Sequence, residues 1–64
     1  MFLSNKQIAI IIGKSEMAAS RLSSLIRDAY NIKNRKNIEI SELAKYLDLE
    51  ESKINEILKI KVAR

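Results

Sequence analysis

Apolar positions recur at helical spacing through most of the chain, in blocks separated by short polar breaks. Ile8, Ala9, Ile11 and Ile12 form the first block, with Ile10 on the opposite side. Ser4 is suited to cap this helix, and Gln7 three residues on completes a capping box. Leu3 before the cap and Ile8 at the fourth helical position suit a hydrophobic staple. Gly13 ends the helix, because glycine enters the left-handed conformation without strain. A helix apolar on every side must be covered on two of them. Ser15 then caps a second helix, and Glu16 is favourable at the positive end of its dipole. Ala18, Ala19, Leu22, Leu25, Ile26 and Ala29 form its predicted buried stripe, and it ends near Tyr30. Met17, Ser20, Ser24 and Arg27 occupy the outer face, flanked by Glu16, Arg21 and Ser23.

Asn31 to Asn37 reads as a basic, turn-rich connection with Ile32, Ile38 and Ile40 as apolar points. A plain loop is favoured over a wing-like hairpin, since Asn34-Arg35 is not a strong two-residue turn. Ser41 is the predicted cap of a third helix to about Leu47, burying Leu43, Ala44 and Leu47. Asp48 and Glu51 suggest a second capping box. A fourth helix to about Lys59 buries Ile54, Ile57 and Leu58. At a spacing of 35 residues, Ala9, Ile12, Gly13 and Leu22 line up with Ala44, Leu47, Asp48 and Ile57, and Ala19 with Ile54. The expected fold is all-α: one domain over residues 1–64, with about four short helices in two helix-turn-helix-like hairpins joined by a basic loop.

Composition narrows the chemistry. The 64 residues include no cysteine, histidine or proline, and one glycine. Disulfides, thiolate-bound zinc and catalytic triads are therefore out of reach, and no glycine-rich phosphate loop is present. Glu50 and Glu51 are adjacent and diverge on a helix. The expectation is a protein that is not an enzyme and needs no cofactor or metal. The longest apolar run, Ile8 to Ile12, is far below the roughly 20 residues of a membrane span. The first residues lack the basic start and long apolar stretch of a signal peptide, so a cytoplasmic location is expected. Charge is unevenly distributed. Residues 1–37 carry seven cations against two carboxylates, and residues 38–64 carry five against six. A basic half beside a near-neutral half suggests a polyanionic partner.

The stretch Gln7-Ile-Ala-Ile-Ile-Ile-Gly-Lys-Ser-Glu-Met-Ala-Ala-Ser-Arg-Leu-Ser-Ser-Leu-Ile-Arg27 resembles the helix-turn-helix family of small phage and bacterial regulators. Ala9 is the small residue of the first helix, Gly13 the turn glycine four residues later, and Ala19 and Leu22 the apolar positions ten and thirteen residues after Ala9. The resemblance implies sequence-specific binding of double-stranded DNA, with the helix over 15–29 in the major groove. It implies a small transcriptional regulator, of a phage or mobile element. Base reading would fall to Glu16, Met17, Ser20 and Arg21. Arg21 is suited to guanine O6 and N7, serine to several base edges and Met17 to a thymine methyl. Lys14, Ser15, Ser24, Arg27, Lys33, Arg35 and Lys36 would meet phosphates.

The second helical pair has equivalent packing positions at Ala44, Leu49, Ile54 and Ile57, but its outer face holds Glu50, Glu51, Ser52, Asn55, Glu56 and Lys59. Those carboxylates argue against DNA contact, which makes this half a support or partner surface. A homodimer is expected, because one reading helix spans only a few base pairs. Ile10, Tyr46, Ile60 and Val62 lie off the core stripes and are candidates for its surface. The first rival reading is a small helical protein-interaction module, such as a phage inhibitor of a host protein, with no nucleic-acid role, and the second is an RNA binder using the basic connection. No small-molecule ligand is evident.

Overall fold

A computed structural model describes residues 1–62, with side chains described through Lys59. The expectations for the Ile60 and Val62 side chains lie outside the described residues. The chain runs β1 (Phe2–Leu3), α1 (Asn5–Ile12), α2 (Glu16–Ala29), β2 (Ile38–Glu39), α3 (Ile40–Leu47) and α4 (Glu51–Val62). It is thus largely helical, with a two-stranded ribbon that the helical reading does not contain. Among the described residues no helix is long and apolar enough to cross a membrane.

The first third forms where its local signals lie. The Ser4 hydroxyl accepts from Gln7 N at 3.2 Å, and Gln7 Oε1 accepts from Ser4 N at 2.9 Å. Two of the otherwise unpaired amide groups around the start of α1 are thereby satisfied. Gly13 closes α1 at φ 67°, and Lys14 N reaches back to Ala9 O at 3.0 Å. Ser15 caps α2 through Ala18 N at 3.2 Å, and Tyr30 ends it.

Beyond Tyr30 three expectations are corrected. Residues 31–37 form a loop, but the next two residues pair antiparallel with the N-terminus, Leu3 opposite Ile38 and Phe2 opposite Glu39. Ser41 is not the cap of α3. Glu39 is, its N–H donating to Glu42 Oε1 at 2.7 Å. Asp48 does not cap α4. It takes the left-handed conformation at φ 57° and closes α3, a position where aspartate is tolerated because its short side chain bonds locally.

A single core cluster unites these elements. The large fully buried side chains are Leu3, Ile8, Ile26, Ile38, Leu43 and Ile54. Each comes from a different element, so each strand and helix is tied to the same centre. Burying such a side chain contributes about 1.5–3 kcal/mol. The buried side of α2 is rotated from the predicted stripe. Ile26 and Ser23 face inward, whereas Leu25 is 55% exposed and Ala29 is exposed. The packing there is long-range, since β2 lies against α2.

The 35-residue echo extends to the backbone. Leu3 pairs with its own counterpart Ile38 in antiparallel register, the relation that a local two-fold axis produces. Ser4 N to Gln7 Oε1 is matched by Glu39 N to Glu42 Oε1. Left-handed Gly13 is matched by Asp48, and Lys14 N to Ala9 O by Leu49 N to Ala44 O at 2.8 Å. α1 and α3 have equal length, α2 and α4 begin at counterpart residues, and Ala19 and Ile54 are both fully buried.

Candidate nucleic-acid interface

Ser15 caps α2, whose first turns bury Ala19 in the core and leave their other side outward. Glu16, Met17, Ser20 and Arg21 are all exposed there. Their spacing of one, three or four residues puts them on one side of the helix. Arg21 lies along its own helix, with Nη2 3.8 Å from Met17 Sδ. A thioether sulfur is a weak acceptor, so this contact leaves the guanidinium able to reach outward.

The phosphate candidates divide into three groups. Lys14 is exposed in the turn between α1 and α2, and Ser15 beside it is committed to capping. Lys6, Lys14, Ser15 and Glu16 line one shallow depression with Ala9, Ile10 and Gly13. Lys6 is absent from the sequence-derived set. Its signal was readable, since Lys6, Ala9, Ile10 and Gly13 share one face at helical spacing.

Arg27 and Lys36 form the second group. They line a smaller cleft of about 270 Å³ with Asn5, Ser20, Ser23 and Asn37. Arg27 is held over its own helix, its Nη2 donating to Ser24 Oγ at 3.0 Å and its Nε to Ser23 O at 3.4 Å. Ser24 is thus an anchor for Arg27 as well as an exposed hydroxyl. Lys33 is exposed further back in the connection.

Arg35 stands apart. Its guanidinium donates in parallel to both oxygens of Glu42, at 2.9 and 2.6 Å, and to Asn37 O at 2.9 Å. It also lies over the Phe2 ring, 5.1 Å from the centroid. Hydrogen bonding to Arg35 holds the Glu42 carboxyl below the ordinary carboxylate range and raises the guanidinium in turn. Arg35 therefore fastens the connection to α3 and β1, and its donors are turned inward rather than toward a partner. Among the described residues no other lysine or arginine side chain is ion-paired with a carboxylate. The remaining cations of this half are left uncompensated.

Of the residues expected off the core, Ile10 is half-buried, whereas Tyr46 is exposed and packs edge-on against Tyr30 with centroids 6.3 Å apart. No family model, curated protein or solved structure matches this chain.

Proposed function

We propose that the protein binds double-stranded DNA in a sequence-specific way, as a small non-enzymatic transcriptional regulator working in the cytoplasm without a cofactor. In this reading α1, the Gly13–Ser15 turn and α2 act as a helix-turn-helix unit, and α2 enters the major groove. The observation that carries it is the exposed quartet Glu16, Met17, Ser20 and Arg21 on the first turns of α2, bordered by the unpaired cations Lys14, Arg27 and Lys36. Short polar side chains let a helix axis approach the groove floor, and cations beside it meet the flanking phosphates. Arg35 leaves the phosphate set, because Glu42 occupies it. A homodimer, placing two α2 helices in successive major grooves roughly 34 Å apart, would supply a site of useful length.

Selection of bound duplexes from a random pool tests the reading. An enriched sequence is expected, bound more weakly as salt rises. Arg21→Ala should cost about 1–3 kcal/mol at that sequence and relax one base pair. Lys33→Ala with Lys36→Ala should weaken binding to all sequences alike and flatten the salt slope by about 0.9 per lost contact. No enrichment and no binding at low salt would overturn the proposal. The competing interaction-module reading rests on Leu25, which is 55% exposed beside Ile12, Leu22 and Leu47. Light scattering with and without the selected duplex tests the dimer, and a monomer mass in both conditions would remove it.

A further inference from the structure

We propose that the cleft between α2, the start of α1 and the end of the basic connection is a built site for a single phosphate group. Its walls are Asn5, Ser20, Ser23, Arg27, Lys36 and Asn37, drawn from three separate parts of the chain. Two cations and four neutral polar side chains line it, and no carboxylate does. The volume of about 270 Å³ holds a phosphate group and several waters, at about 30 Å³ per water.

Ser23, 3% exposed, is the most deeply placed of the lining residues and sets a neutral hydroxyl-bearing side chain at the base of this wall. Arg27 is already oriented by Ser23 O and Ser24 Oγ, which spares it much of the ordering cost of binding. Its remaining donors and the Lys36 ammonium supply the charge. Ser20, Asn5 and Asn37 add neutral donors, the mixture that tetrahedral oxyanions accept.

The counterpart cleft 35 residues away sharpens the assignment. There Ser23 becomes Leu58, Ser20 becomes Asn55, and Glu56 brings a carboxylate to the wall. The fold therefore makes a depression twice and equips only one of them for an anion. The DNA-binding proposal bears on this inference only as the source of the phosphate. A duplex backbone and a free phosphate-bearing ligand present the same group.

Titration of the labelled protein with inorganic phosphate, followed by amide NMR against chloride at equal ionic strength, tests the site. Saturable shifts are expected at residues 20, 23, 27, 36 and 37. Arg27→Gln and Lys36→Gln should each weaken the phosphate dissociation constant about tenfold, and Ser23→Ala severalfold. Lys36 is exposed, so its variant keeps the test sound if Arg27→Gln disturbs the fold. A matching loss of duplex affinity in Lys36→Gln identifies the source as the DNA backbone. Unchanged duplex affinity, or a protein that binds no duplex, with phosphate still saturating, identifies a free ligand. Linear shifts spread over all lysines would overturn the site, while leaving DNA binding by other residues intact.

Discussion

Arg21 stands on the exposed rim of α2, and its counterpart on α4 is Glu56. The other rim positions differ as well: Met17 against Ser52, Ser20 against Asn55, Ser24 against Lys59. Behind those rims the halves agree, in their left-handed turns, their reach-back hydrogen bonds and the buried pairs Leu3–Ile38 and Ala19–Ile54. Caps and core positions are constrained by backbone groups and close packing, which leave few alternatives. Exposed rims carry no such constraint. Charge differs accordingly, with seven cations against two carboxylates in residues 1–37 and five against six in residues 38–64.

The largest test removes the shared centre. Leu3→Ala and Ile38→Ala should each destabilise by about 2–4 kcal/mol, read as urea midpoints with unchanged slopes. A marginal chain of this size would come close to unfolding. Costs differing by more than the cavity scatter would break the equivalence of the two strands. The next test exchanges the rims. Arg21→Glu should lower duplex affinity by tenfold or more, on the order expected when a groove-facing cation is reversed. Glu56→Arg should leave the selected sequence and its affinity unchanged if α4 faces away. A gain comparable to the Arg21→Glu loss would put α4 at the DNA as well.

Smaller effects come from the two turns, and there the signs should differ. Gly13→Ala meets no atom within 4 Å of the added carbon, so its cost is backbone strain alone, about 1–2 kcal/mol. Asp48→Gly relieves the same strain and should stabilise by up to about 1 kcal/mol. Thermal midpoints moving in one direction for both variants would separate the two turns. The smallest effect is acid-dependent. Arg35 depresses the Glu42 carboxyl in the folded chain, so that contribution is complete above the ordinary glutamate pKa of about 4.3. It is lost as pH falls through the depressed folded value. Wild type should exceed Glu42→Gln in stability at neutral pH, and the gap should narrow below about pH 4. A gap that stays constant would mean the pair contributes through geometry alone.

What could be read from the sequence follows the reach of each interaction. Ser4 with Gln7, Gly13 and Ser15 act within four residues, and the caps of α1 and α2 were legible from them. The quartet on α2 was legible for the same reason, since one helical turn defines it. The pairing of Leu3 with Ile38 was not, because strands of two residues carry no alternation and their partners are distant. With that pairing in place the cap of α3 lies at Glu39 rather than Ser41, and Ser23 rather than Leu25 is buried on α2. The anion cleft was hidden likewise, as Lys36 and Asn37 reach Ser20 and Ser23 only once the connection folds back. Arg35 looked like any other cation of the loop until Glu42 was seen beside it.

Tyr30 and Tyr46 meet edge to face at 6.3 Å, with Lys45 over the Tyr30 ring at 5.6 Å, where the end of α2 touches α3. The chain has no tryptophan and these are its two tyrosines. Its near-ultraviolet dichroism is therefore dominated by the joint between the two halves. Far-ultraviolet dichroism instead reports helices that persist after side-chain packing is lost. The molecule thus carries its own optical gauge of whether the halves are docked, readable without a label.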